Sequence, residues 1–204
     1  MALNDSVERH LLISQGMVNQ QLQFAEAKNA ALITFNGAGI YVSALGQSIF
    51  PQVLIDVLPV IHVMLVLSIG TSLLAFMPIM NPPAKPSAKE VKQRKNLGNH
   101  ANIYFFGHLR LFDPDDLVRY LHEMYGEFIP EQSPRSDYFL SSQVILQSRI
   151  AWRKLTLFSV ASQLTLTAMI FPLPILAIFW VVRMINTRKA AKEERILLDT
   201  RRDA

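Results

Sequence analysis

The chain has 204 residues, half of them hydrophobic, with a mean hydropathy of +0.23 and a formal net charge of +4. That length suits one domain unit and leaves no room for a separate large catalytic domain. The absence of cysteine excludes a disulfide framework and a thiolate metal site.

Residues 1–24 carry Asp5, Glu8 and Arg9 and no apolar stretch with a small-residue cleavage site, so no secretory signal is expected. Leu11, Leu12, Met17, Val18, Leu22 and Phe24 recur at broadly helical spacing among Gln and Asn, which predicts an N-terminal amphipathic helix over 1–29. No proline or turn cluster separates Phe24 from Ala31. The helix is therefore expected to continue unbroken into an uncharged run, 30–50, with Lys28 at the interface. Within that run Asn36, Gly39, Ser43 and Gln47 follow at steps of three, four and four and share one helical face. Small residues admit close helix approach, and amides need partners where water is absent. This face is expected to meet protein in bundle packing or to line an aqueous path.

Between Asp56 and Lys85 no residue carries a full charge. At a rise of ~1.5 Å per residue, about 20 apolar residues cross the ~30 Å hydrocarbon layer, and 54–80 is read as a transmembrane helix on that ground. His62 stands alone inside it. A charge there is costly, so a neutral imidazole bonded to a neighbouring hydroxyl is expected.

Asn81-Pro-Pro-Ala-Lys-Pro86 cannot continue a helix, because prolines remove donors and clash with the preceding turn. Lys85, Lys89, Lys92, Arg94 and Lys95 against Glu90 then form a basic juxtamembrane run that marks the cytoplasmic side and suits anionic lipid. Asp113-Pro-Asp-Asp116 predicts a helix start, with Asp113 capping and Pro114 in the first position. Its apolar face is predicted to carry Leu117, Leu121, Met124 and Phe128, with Arg119, His122 and Glu123 off it, and its end falls by Pro130. Asp137 can open a last long helix that leads without a breaker through Lys154 into a third uncharged run. Residues 81–154 thus form a small helical cytosolic module.

The third run, 155–182, carries Thr156, Ser159, Gln163 and Thr167 at the same steps as the first stripe. Both stripes are expected to mediate membrane assembly into a homo-oligomer. Pro172 and Pro174 either kink this helix or turn it back as a re-entrant element. A basic tail, 183–204, follows. Lys and Arg number 2 before the first run, 11 over 81–154 and 7 after Val182. The greater load beside 54–80 places 81–154 inside, and three single crossings leave the tail outside. A hairpin at the prolines would put both inside, yet 155–182 falls short of the ~40 residues that two crossings need. The expected fold class is an all-α integral membrane protein with three transmembrane helices and a small helical cytosolic module between the second and third.

Chemical motifs are scarce. There is no phosphate-cradling glycine loop, nucleophile elbow or His-Glu-x-x-His helix, and His100 and His108 lack a third ligand nearby. Asp113, Asp115 and Asp116 are accounted for by the helix start. No catalytic residue, metal or cofactor is expected, and no nucleic-acid partner.

Ala25-Glu-Ala-Lys28-Asn-Ala-Ala-Leu32 followed by Asn36-Gly37, then Asn102-Ile-Tyr-Phe105, then Gln143-Val-Ile-Leu-Gln-Ser148-Arg-Ile-Ala-Trp-Arg-Lys154 occur in this order relative to the three apolar runs. Over 22–166 this set resembles the transmembrane effectors of the Pycsar antiphage systems. The resemblance implies a multi-pass protein of the bacterial inner membrane. It implies activation by a cyclic pyrimidine mononucleotide, cyclic UMP or cyclic CMP, made by a partner cyclase during phage infection, after which the lipid bilayer is impaired and the cell dies. Glu26 stands where that family tends to have Asp, and the basic tail is additional.

A cyclic mononucleotide has one phosphate charge and a flat base, which ask for Arg or Lys, an aromatic face and amides. Asn102, Tyr104, Phe105, Arg110 and Arg149, with Arg119, are the candidate cyclic nucleotide-binding set. Each also has a plain reading, as packing beneath the membrane or as a solvated or lipid-facing charge. A ligand-independent holin-like or scaffold protein would have the same spans and stripes and would be toxic without nucleotide. A membrane enzyme would need clustered carboxylates or histidines at a cavity, which the sequence does not offer.

Overall fold

The computed structural model describes residues 5–48, 50–77, 86–125 and 135–202, with side chains for all of these except 5, 99 and 189–202. Among the described residues the architecture is all-helical, without a strand. In chain order come α1 (Asp5–Leu45), a 3-10 turn (Gly46–Ser48), α2 (Gln52–Leu74), α3 (Ala88–Leu97), a second 3-10 turn (Gly98–His100), α4 (Phe106–Leu109), α5 (Pro114–Tyr125), α6 (Arg135–Ile170) and α7 (Pro172–Arg202). The expected unbroken passage from the N-terminal helix into the first apolar run is present in α1, which is 41 residues long. Among the described residues two helical stretches are long and apolar enough to cross a membrane, Gln52–Leu74 and Arg135–Arg188. The run 30–50, divided between α1 and the turn that follows it, is not one of them. Near the third run's prolines, α6 stops at Ile170 and Pro172 opens α7. Phe171 between them still donates to the Thr167 carbonyl at 2.9 Å. Pro172 has no N–H to continue the ladder, so the break falls where ring chemistry puts it.

The chain divides into two units, Met1–Leu32 with Thr71–Val160, and Ile33–Gly70 with Ala161–Ala204. In the first unit one core gathers Val7, Leu11 and Val18 of α1, Ile103 to Phe112 around α4, Leu117, Tyr120 and Leu121 of α5, and Val144, Ile145 and Ala151 of α6. On α1 the buried positions Val7, Leu11, Ser14, Val18, Ala25 and Asn29 advance by four, three, four, seven and four residues. On α6, Ser141, Val144, Ser148 and Ala151 advance by three, four and three. Steps of three and four residues keep one face of each helix turned to the core. Each fully buried Leu, Val or Phe contributes about 1.5–3 kcal/mol of transfer free energy.

α5 starts at Pro114 as expected, with the Leu117 N–H on the Asp113 carbonyl at 2.9 Å, and it buries Leu117 and Leu121. Two expectations for this helix fail. His122 is buried, because the covered sector is wide and takes in Val118 and Tyr120 as well. Met124 is half exposed, because the core does not reach the last turn. Phe128 lies outside the described residues.

Among its described residues the second unit has few large buried side chains. Asn36, Leu58, Leu65, Ser68, Ala161, Thr165 and Ala168 are buried, while Val60, Val63, Val66, Leu166, Met169, Ile170, Leu173 and Ile178 are exposed. Small and polar residues inside with aliphatic ones outside reverse the order of a water-soluble domain. A hydrocarbon surround asks for this arrangement: it welcomes the apolar exterior and gives helices no reason to associate except close fit and hydrogen bonds.

Candidate functional site

α3 is built to be docked by polar groups. Ser87 and Glu90 form a capping box: the Ser87 hydroxyl accepts from the Glu90 N–H at 3.3 Å, and Glu90 Oε2 accepts from the Ser87 N–H at 2.8 Å. At the other end Gly98 takes φ 51° and donates its N–H to the Lys95 carbonyl, a left-handed position that costs glycine little. The helix between has no buried residue. It is held through Glu90 Oε1, which receives Arg110 Nη1 at 2.7 Å, and through Arg94, whose guanidinium lies 4.1 Å from the Phe112 ring centroid and 4.9 Å from that of Tyr120.

Arg110 also reaches Gln93 at 3.4 Å and stacks 4.2 Å over the Trp152 ring. Arg149 donates from Nε to the Arg110 carbonyl at 3.2 Å and from Nη2 to the Phe112 carbonyl at 3.3 Å. Burial raises the pKa of Glu90, but the Ser87 N–H and hydroxyl and the charges of Arg110 and Arg149 outweigh it and hold the carboxyl below its usual value. Burial, helped by the Arg110 charge, lowers the pKa of Arg149, while Glu90 and Asp113 oppose the shift. A guanidinium stays protonated throughout. Arg110 and Arg149 are thus brought together, and they are committed to protein acceptors.

Asn102 and Tyr104 belong to a turn. Asn102 Oδ1 accepts the Tyr104 N–H at 2.9 Å, and the Asn102 N–H donates to His108 Nδ1 at 3.0 Å. The Tyr104 hydroxyl bonds His10 Nδ1 at 2.7 Å, and the His10 ring stacks on Tyr125 with centroids 3.9 Å apart and planes 7° from parallel. Burial and the bond to Tyr104 push the Tyr125 hydroxyl up to about 12. The Phe105 ring lies over Gly107 so closely that a Cβ there would sit 2.5 Å from it and force the ring to shift. The ring itself is 41% exposed. Composition and spacing alone did not reveal His10, Glu90, Arg94 or Trp152. Only Glu90 had a local signal, the Ser-x-x-Glu pattern after Pro86.

Between α3 and α5 opens a cleft of about 280 Å³ lined by Arg94, Lys95, Asp116, Arg119, Tyr120 and Glu123. No group of three His, Asp or Glu residues able to hold a metal occurs among the described residues.

The two polar stripes meet different fates. Asn36 is buried and donates from Nδ2 to Ser68 Oγ at 2.8 Å; Ser68 donates to the Ala161 carbonyl at 2.8 Å, and Thr165 Oγ1 donates to Asn36 Oδ1 at 3.0 Å. Each hydroxyl has one hydrogen, and this assignment uses every one of them. Gly39 faces Leu65, whose Cδ1 would lie 3.7 Å from an added Cβ. Ser43 shares its hydroxyl between the Ile40 carbonyl at 2.9 Å and His62 Nε2 at 2.6 Å, so His62 has the hydroxyl partner expected of it. Gln47 is exposed in the turn after α1. On α6, Thr156, Ser159, Gln163 and Thr167 are all exposed, on the side of the helix opposite to Ala161, Thr165 and Ala168. In the first unit Glu26 pairs with Lys154, and Lys28 lies 4.1 Å over the Phe24 ring and 5.3 Å from that of Phe158.

An aliphatic exterior around hydrogen-bonded helices, joined in one chain to a unit with polar clefts, defines an all-helical, membrane-associated protein. The chain belongs to the Pycsar effector family: the Pycsar effector protein domain matches residues 10–183. It is accordingly an effector of antiphage defence. No curated protein and no solved structure matches it.

Proposed function

We propose that this effector crosses the bacterial inner membrane three times, over 30–50, 54–80 and 155–182, and holds 81–154 in the cytoplasm. Cyclic UMP or cyclic CMP from a partner cyclase switches it on there. The active protein impairs the membrane, and the infected cell dies. The observation that carries this reading is the family match, which runs through 10–183 and so takes in the polar unit and the apolar helices alike.

Two features support it. The 11 basic residues over 81–154 suit the cytoplasmic side. The exposed polar face of α6 has no partner to gain from hydrocarbon, so further copies of the chain cover it in a homo-oligomer. The ligand acts by binding one arrangement of the module better than another, since only differential affinity moves such an equilibrium.

Membrane potential in cells tests the proposal. Cells expressing the chain alone keep their potential, and co-expression of a pyrimidine cyclase collapses it. Equal loss without the cyclase overturns the ligand requirement and favours holin-like action.

A further inference from the structure

The cleft between α3 and α5 is lined by charged side chains that form no ion pair among the described residues. Asp116, Arg119 and Glu123 stand on α5 at spacings of three and four, where opposite charges on a helix commonly pair. Among the described residues neither they nor Lys95 of α3 forms an ion pair. Arg94 gives one Nη to the Gly98 carbonyl at 3.0 Å, and its Nε–H, shut off from solvent, has no partner. Three cations and two carboxylates therefore border one hollow of about 280 Å³, floored by the buried Tyr120 ring. That volume lies just below the usual range of ligand sites, roughly 300–1,000 Å³, and suits a ligand no larger than a mononucleotide.

We infer that this cleft is the seat of the activating mononucleotide, with its phosphate toward Arg94, Lys95 and Arg119 and an N–H edge of the base toward Asp116 or Glu123. A ligand bearing both a phosphate charge and N–H donors answers a mixed lining that a simple anion would not, since phosphate favours guanidinium and ammonium, and base N–H groups favour carboxylate. Arg110, which holds Glu90, and Arg149, which holds the Arg110 carbonyl, are then positioning residues that set where α3 stands. Because α3 buries no residue of its own, a ligand spanning α3 and α5 fastens a helix that is otherwise held by the polar contacts of Glu90, Gln93 and Arg94.

The inference rests on the proposed activation by a cyclic pyrimidine mononucleotide, and one experiment separates the two. The full chain in detergent is titrated with cyclic CMP and with cyclic UMP, as wild type and as the double variant Lys95→Gln/Arg119→Gln, two exposed positions outside the core. Wild type binds at least one nucleotide and gains melting temperature. The double variant melts like wild type without ligand and binds at least tenfold more weakly, and Arg119→Lys keeps most of the affinity. Wild type and double variant binding equally well place the seat elsewhere and overturn the inference alone. Wild type binding neither nucleotide overturns the activation reading together with the inference.

Discussion

Glu90 divides its carboxylate between its own helix and Arg110: Oε2 receives the Ser87 N–H at 2.8 Å while Oε1 receives Arg110 Nη1 at 2.7 Å. Folding of α3 and docking of α3 are thereby one event. A first turn that unwinds lets go of Arg110, and an Arg110 that swings away leaves the cap with its charge unbalanced.

Glu90→Gln separates these two tasks, because glutamine still accepts from the Ser87 N–H but brings no charge to Arg110. Glu90→Ala removes both and costs about 1–2 kcal/mol, in the range of a lost helix cap. Amide hydrogen exchange over 88–97 is expected to quicken in the order wild type, Glu90→Gln, Glu90→Ala. Identical protection in all three proteins would refute the coupling.

Acid should act through the same carboxyl. Its folded pKa lies below the ordinary value of 4.5, so its contribution is complete above pH 4.5 and is lost as pH falls through the depressed value. Protection factors for α3 are expected to drop in that acid range in wild type and to change less in Glu90→Gln. A drop of the same size in the variant would assign the effect to other carboxyls.

Asn36 and Ser68 should be energetically coupled. In a double-mutant cycle with Asn36→Ala and Ser68→Ala, unfolding in detergent is expected to give an interaction of about 0.6–1.7 kcal/mol, the range of interhelical hydrogen bonds in membranes. Additive single effects would mean that the 2.8 Å bond contributes nothing.

Orientation can be read directly, since the chain has no cysteine. A cysteine at the exposed Asn96 position is expected to resist an impermeant maleimide in intact spheroplasts and to react once the membrane is opened. Labelling from outside would reverse the topology and remove the ligand's access to the module.

The exposed face of α6 offers a fourth handle. Gln163→Leu leaves helix content unchanged and is expected to shrink the oligomer and protect cells from the cyclase. Unaltered oligomer size and toxicity would remove this face from assembly.

Helix continuity and helix starts were legible because they depend on near neighbours: no breaker interrupts 24–31, and Asp113-Pro114 opens α5 by local geometry alone. The buried seam of α1 was harder to see, because Ser14 and Asn29 occupy positions that an apolar pattern skips. Spacing told that Thr156, Ser159, Gln163 and Thr167 share a face but not which way the face points. The same limit applies to Arg110. Residue type marks it as a cation for phosphate, whereas its actual acceptor stands 20 positions upstream, and only the fold brings that carboxylate to it.

The bonds among Asn36, Ser68 and Thr165 work as a latch whose notches lie one helical turn apart. Slipping α2 by one heptad, about 10 Å at the helical rise, would put Ile61 or Ala75 where Ser68 stands, and neither offers Asn36 an acceptor. Every bond at that height then fails at once, whereas a slip of one turn, about 6 Å, brings the buried Ser72 hydroxyl to the place of Ser68. Helices latched this way do not creep past one another under a weak signal; they hold, or they move by a whole turn.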